Sequence, residues 1–248
     1  MARTPSARSK RFRRHDGRKA DELRPVSVEV DYLPHADGSC LIGFGDTRVI
    51  CTVSFMAGVP EWLTGRGTGW VTAEYAMLPA STHVRKRRPI GRPDGRGTEI
   101  QRLIGRVCRG SVRMDRLGEN TLFVDCDVIS ADGGTRTAAI TGGQIALARA
   151  LAAAESAGAV RPGTLATRIA AVSVAVVDGV CLLDPDYVED STADVDANVA
   201  VTAAGQYVEI QTTAERAALR PAQLEQLLTL ARRGCRKLHA VQKTAIAE

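Results

Sequence analysis

Two short strings in this chain carry residue types suited to phosphate chemistry. The first is Asp132-Gly133-Gly134-Thr135-Arg136-Thr137. Adjacent glycines let the backbone approach an anion closely, and a helix N-terminus offers free N–H groups. The Thr135 hydroxyl can donate, and Arg136 adds a charged fork. A plain strand-to-helix turn with Thr135 as N-cap would carry the same letters. The second string holds Asp184, Asp186, Glu189, Asp190, Asp194 and Asp196, six carboxylates in 13 residues. Such groups repel unless their charge is offset, and divalent cations offset it through oxygen ligands. A solvated acidic loop is the alternative, and the spacing is not that of an EF-hand. A basic loop adds Val84-Arg85-Lys86-Arg87-Arg88 and Gly91-Arg92-Pro93-Asp94-Gly95-Arg96-Gly97. An anion cradle, loop arginines and an acidic cluster together are what phosphoryl transfer on a nucleic acid requires. His15, His35, His83 and His239 fall in a tail, a turn, the basic loop and the last helix, so no Ser/His/Asp or Cys/His grouping competes.

The elements that must position these groups can be read from periodicity. Val26, Val28 and Val30 alternate with polar residues, and Asp37-Gly38 and Gly45-Asp46 turn an antiparallel meander that ends near Phe55. Residues 57–98 are rich in Gly, Pro and Arg, with a short strand near Trp70–Ala73, and loops this long are often functional. Ile100, Leu103, Ile104, Val107 and Cys108 recur at helical spacing, predicting a helix over 98–114. On it Arg102, Arg106, Arg109 and Arg113 share a stripe, either a solvated face, a subunit contact or an RNA contact. Thr121–Ile129 alternates Leu122, Val124, Cys126 and Val128 with Asp125 and Asp127, a strand with one buried face. It feeds the glycine turn and an Ala-rich helix through about Ser156. Ile169–Val177 reads as a buried strand, Asp178-Gly179 turns into Val180–Leu183, two short strands flank Gly205, and Pro221 opens a final amphipathic helix. Hairpins mixed with about three helices predict an α+β layered sandwich. No dinucleotide-binding or Walker pattern and no short-period repeat is present.

The chain has 248 residues, of which 44% are hydrophobic and 25% charged, enough for a substantial core. No apolar run reaches the roughly 18 residues of a membrane helix, so no membrane association is expected. Six cysteines without a CxxC spacing predict reduced, buried thiols in a cytoplasmic protein. Residues 1–20 are net +7 and residues 80–116 net +8, whereas the whole chain is only +5, so the rest is acidic. Concentrated Lys and Arg on an acidic body favour a polyanionic partner, because they release counterions from phosphates. Residues 1–20 are expected to form a basic disordered tail and 21–248 a single domain.

Longer strings then point to a family. They include Arg14-His15-Asp16-Gly17-Arg18, Glu22-Leu23-Arg24-Pro25-Val26, Phe44-Gly45-Asp46-Thr47 and Gly69-Trp70-Val71-Thr72-Ala73-Glu74-Tyr75. Further along stand Met77-Leu78-Pro79, Glu99-Ile100-Gln101-Arg102-Leu103-Ile104-Gly105-Arg106, Asp125-Cys126-Asp127-Val128 and Tyr187-Val188-Glu189-Asp190-Ser191. With the glycine turn between them, they make the chain from about Asp16 onward resemble the ribonuclease PH family. The resemblance implies the ribosomal-protein-S5-domain-2-like form of the α+β sandwich. It also implies a phosphate-dependent 3′→5′ exoribonuclease that trims the 3′ ends of tRNA precursors and releases nucleoside diphosphates reversibly. By the same resemblance, Arg96, Gly134, Thr135 and Arg136 bind the attacking phosphate, and Asp190 and Asp196 are catalytic and hold Mg2+. Arg85 and Arg88 grip the RNA, and the protein forms a homo-oligomeric hexameric ring, a trimer of dimers. In two places the chain departs from the pattern. Gln211-Thr212-Thr213-Ala214-Glu215-Arg216 has Thr212 and Arg216 where the family usually has glycine, which is strained if either position needs a positive φ. Ala80 replaces a usual arginine, with Lys86, Arg87 and Arg92 available to compensate. These departures keep two alternatives open: a catalytically weak RNA-binding paralogue, or a structural ring subunit.

Overall fold

The computed structural model describes residues 12–88 and 94–247. Residues 1–11 of the expected tail, and Gly91, Arg92 and Pro93 of the basic loop, lie outside the described residues.

Among the described residues, nine strands form two sheets. The first contains β1 (Val26–Val30), β2 (Gly38–Phe44), β3 (Thr47–Ala57), β4 (Trp70–Met77) and β5 (Asn120–Ser130) in the order β1-β2-β3-β5-β4. The meander predicted from 25 to 55 is antiparallel throughout, and β4 joins β5 in parallel. The second sheet orders β6 (Ile169–Val177), β7 (Val180–Leu183), β8 (Val195–Thr202) and β9 (Tyr207–Ala214) as β7-β6-β8-β9, all antiparallel. The helices are α1 (Gly95–Ser111), α2 (Met114–Leu117), α3 (Thr135–Ser156), α4 (Tyr187–Asp190) and α5 (Pro221–Ala247). The expected α+β sandwich is what forms.

Helix α3 packs against β2, β3 and β5 of the first sheet and β6 of the second, so it is buried on nearly every side. Its Ala and Gly content follows from this position: a Cβ at Gly142 would sit 2.7 Å from Ile42 Cγ2 and 2.8 Å from Cys51 Sγ. Helix α1 covers β4 and α5 lies on β6 and β7. One hydrophobic cluster runs from Cys40 through Leu151 to Leu238, drawing residues from both halves of the chain. The strand period holds in β5, where Leu122, Val124, Cys126 and Val128 are buried and Asp127 is exposed. All six cysteines are free thiols, and burial pushes Cys108 and Cys235 up to about 12. No helix among the described residues is long and apolar enough to cross a membrane.

Three expectations shift. Helix α1 starts at Gly95 because the Asp94 side chain accepts from the Arg96 N–H and caps it. Strand β4 continues to Met77 because its whole length pairs with β5. The ordered body also begins before residue 20. Arg14 is buried, with Nε and Nη2 donating to Glu189 at 2.8 and 2.6 Å, and Nη1 and Nη2 donating to the carbonyls of Leu183 and Asp184. Basic composition reads as tail, but these cations are matched by the acidic segment across the fold.

Candidate active site

The glycine turn is held from behind. Asp132 donates its N–H to Thr47 Oγ1 at 2.9 Å, and that hydroxyl donates to the Gly133 carbonyl at 2.7 Å. Arg24 donates to the carbonyls of Asp132 and Gly133, and its Nη2 and Nε reach the fully buried Asp184 carboxylate at 2.7 and 3.1 Å. One guanidinium therefore couples the glycine turn to the acidic segment. Gly133 has φ +75°, and a Cβ there would lie 2.7 Å from the Asp186 carbonyl carbon and 2.9 Å from Tyr187 N. The turn and the acidic segment touch through this glycine, and no side chain fits between them.

Gly134, with φ +66°, is the N-cap of α3, and no side chain caps the helix. The expected alternative with Thr135 as N-cap is thereby corrected: Thr135 is the first helical residue, and its hydroxyl meets the Tyr75 hydroxyl at 2.8 Å. An uncapped helix N-terminus is electropositive and open to an anion. Arg136 stands in the same turn, steadied by Nη1 donating to Gln211 Oε1 at 2.8 Å, with Glu99 at 3.5 Å. Gln211 Nε2 in turn donates to Glu99 at 2.6 Å.

A cavity of about 380 Å³ opens here. Arg96, Gly134, Thr135, Arg136, Tyr187 and Asp190 line it, and the rings of His83 and Tyr187 face each other at 6.0 Å. A larger open recess of about 760 Å³ between β7 and α5 has Glu225 as its only carboxylate. Asp190 closes α4, whose start is fixed by a reciprocal capping box between Asp186 and Glu189. Asp196 sits near the start of β8. Asp190 is an exposed residue on the cavity wall. Desolvation by the surrounding protein pushes its carboxyl up; Asp196 adds to the rise, while Arg96 and Arg136 oppose it. Asp196 is raised by burial first, against the pull of Arg136, with Glu215 raising it further. Its Oδ1 is buried without a hydrogen-bond partner.

Of the residues singled out from sequence, Arg96, Gly134, Thr135, Arg136 and Asp190 share this cavity, and Asp196 couples to it through Asp190. Arg85 and Arg88 do not line it; both are exposed, and Arg88 acts on Asp127 at the sheet surface. The expected arginine stripe does not run along one helix over 98–114, because α1 ends at Ser111 and Arg113 is the N-cap of α2; three of its four arginines have partners within the chain. Arg106 pairs with Glu209 at 2.9 Å, Arg109 donates to the Val71 carbonyl and covers the Trp70 ring at 4.5 Å, and Arg113 donates to the Gly163 carbonyl. Among the described residues, a three-donor grouping with metal-ligand proximity occurs at His15, Asp186 and Glu189. Contacts within the chain account for it: Arg14 is paired with Glu189, and His15 Nε2 is hydrogen-bonded to Asp186 at 2.6 Å. Sequence reasoning missed Arg24, Tyr75, Glu99 and Gln211 as supports of the turn. Tyr75 was in a quoted string, but its partner became visible only when β4 and α3 came together.

The altered string is unstrained. Neither Thr212 nor Arg216 has a positive φ; Thr212 lies within β9 opposite Ala197.

Chemically, the site can hold an anion against two guanidinium groups and a helix N-terminus, beside two carboxyls that desolvation raises. The class this defines is an α+β sandwich with an anion-binding helix N-terminus beside a carboxylate pair. The sequence of the 3′ exoribonuclease family matches in two consecutive parts, domain 1 over residues 22–152 and domain 2 over 167–234. The chain belongs to this ribonuclease PH family. Solved structures share the fold. Rice (Oryza sativa) Rrp46 is 18% identical with a TM-score of 0.76, covering 94% of this chain and 100% of its own. The Archaeoglobus fulgidus exosome with RNA bound to the active site is 23% identical with a TM-score of 0.79, covering 92% of each chain. An archaeal exosome core is also 23% identical, with a TM-score of 0.76 over 93% of this chain and 91% of its own. The fold is the ribosomal-protein-S5-domain-2-like sandwich.

Proposed function

We propose that the protein is a phosphate-dependent 3′→5′ exoribonuclease that shortens RNA 3′ ends, those of tRNA precursors in particular, and releases nucleoside diphosphates. The observation that carries this reading is the single cavity shared by Arg96, the Gly134–Arg136 turn and Asp190. Arg96, Arg136 and the uncapped N-terminus of α3 hold inorganic phosphate by charge-assisted hydrogen bonds. A phosphate oxygen attacks the phosphorus of the last phosphodiester, and the bond from phosphorus to the 3′ oxygen breaks. Asp190 and Asp196, whose carboxyls desolvation raises above the ordinary value, carry the proton that the departing 3′ oxygen needs.

The carboxylate pair suits a hard cation, because Asp196 Oδ1 is buried with no protein donor. Mg2+ held by Asp190 and Asp196 would supply charge neutralisation at the phosphorus oxygens. Arg85 and Arg88, exposed beside the site, grip the RNA backbone. A homo-hexameric ring in the cytoplasm completes the reading; family membership and the exosome structures among the solved relatives support a ring assembly.

The deciding experiment incubates the protein with a tRNA carrying a short 3′ tail, Mg2+ and inorganic phosphate. Nucleoside diphosphates are expected only when phosphate is present. Intact bound RNA is the result a non-catalytic ring subunit gives, and nucleoside monophosphates released without phosphate would mean hydrolysis. Arg96→Ala should raise the phosphate KM about 10- to 100-fold, the loss of one charged hydrogen-bonding partner; an unchanged KM removes Arg96 from the phosphate site.

A further inference from the structure

We propose that Arg216 is a positioning residue that locks the connection between Asp190 and Asp196, and so sets the placement of the two carboxylates; this rests on reading that pair as the reacting pair.

The connection, residues 191–194, leaves α4 and enters β8. Helix α4 is a single turn whose start is fixed by the Asp186–Glu189 capping box, and the connection follows from its other end. Ser191 and Thr192 are exposed. Thr192 and Ala193 donate their N–H groups back to the Glu189 and Asp190 carbonyls, Asp194 donates to the Val176 carbonyl, and Ala193 is buried; the end of β9 ties the connection from the other side. Ala214 pairs opposite Val195, the first residue of β8, and the chain then folds over the connection. Glu215 and Arg216 both donate their N–H groups to the Asp194 carbonyl, at 2.9 and 3.1 Å. The Arg216 guanidinium spans the rest: Nη2 donates to the Ser191 carbonyl at 2.8 Å and Nη1 to the Thr192 carbonyl at 3.2 Å. Thr212 Oγ1 donates to the Asp196 carbonyl at 3.2 Å.

The Arg216 guanidinium thus clamps two successive carbonyls in the exposed half of the connection, directly after Asp190. A glycine at 216 would keep the backbone bond to Asp194 but forfeit both side-chain bonds. The clamp is also separable from fold stability, because the exposed carbonyls it leaves are taken up by water at small net cost. Placement of reacting groups is far more sensitive, since an error near 1 Å costs on the order of 100-fold in rate.

The test uses the full chain with Arg216→Ala and Arg216→Lys. Amide hydrogen exchange across residues 191–194 should accelerate about tenfold in the alanine variant and stay near wild type in the lysine variant, whose ammonium still has three donors. In phosphorolysis, kcat should fall roughly tenfold for alanine with the phosphate KM unchanged, because the phosphate-holding residues are untouched. Unchanged exchange overturns the clamp, and so does faster exchange with unchanged kcat. A raised phosphate KM with kcat preserved also overturns it. If the wild-type protein performs no phosphorolysis, the proposed function fails, and exchange in the two variants still decides whether Arg216 clamps the connection.

Discussion

Asp190 sits where ionisation is opposed, and its consequences can be worked out with their sign. Burial and then Asp196 raise its carboxyl above 3.8, the ordinary value. The folded state therefore holds the proton more tightly than the unfolded chain does. Stability is lost as pH rises from 3.8 through the raised folded value, and at pH 7 the carboxylate is a net burden. Asp190→Asn should accordingly raise the thermal midpoint at pH 7, with the gain shrinking as pH falls toward 4. The same variant should lower turnover by about 100- to 10,000-fold, the usual worth of a positioned acid–base group, while RNA still binds. Thermal melts at the two pH values, set beside phosphorolysis rates, check this. A midpoint that falls at pH 7 would show Asp190 to be structural. The pairing of lost turnover with gained stability is what a strained reacting group produces, and a merely solvated acidic loop would show neither.

Two glycines with nearly equal φ separate what a turn needs from what a contact needs. Gly133 has φ +75° and meets the Asp186 and Tyr187 backbone; Gly179 has φ +76° and meets nothing within 4 Å. Gly179→Ala should cost only the left-handed backbone, about 1–2 kcal/mol. Gly133→Ala should cost about 1–3 kcal/mol more, from the clash. It should also damage phosphate use, since the glycine turn or the acidic segment must move. Denaturant unfolding of both variants measures the difference, and equal losses would mean the turn and the acidic segment yield freely. At this scale the sequence was informative where the signal was local. The meander, the Asp178-Gly179 hairpin, the α3 boundaries and the start of α5 followed from period and turn chemistry. The signal failed where the cause was distant. Nothing near Arg14 announces its partner Glu189, which is 175 residues away in sequence. Likewise Thr135 has the letters of a cap, but Gly134 takes the left-handed position, so the hydroxyl turns to Tyr75 instead.

Over the whole molecule, charge separates into positive groups consumed by the fold and positive groups left outside. Arg14, Arg18 and Arg24 face Asp184, Asp186 and Glu189, and Arg106 and Arg109 of α1, with Arg113 just beyond it, have partners within the chain. A basic composition therefore overstated the surface available to a polyanion, and RNA contact is the reading of the stripe that these pairings favour least. Among the described residues named for RNA contact, Arg85 and Arg88 remain exposed beside the cavity. RNA affinity should depend on salt through groups of this kind, with about 0.7 units of log–log slope for each phosphate neutralised on a single strand. Arg85→Ala combined with Arg88→Ala should thus flatten the slope by about 1.4 units if each contacts one phosphate. Arg106→Ala should leave the slope unchanged, because its charge is already paired with Glu209. Binding to a tailed RNA across a salt series separates these outcomes. A slope that responds to Arg106 and ignores Arg85 and Arg88 would move the RNA path from the loop to the helix. It would also mean that the Arg106–Glu209 pair opens to admit the strand.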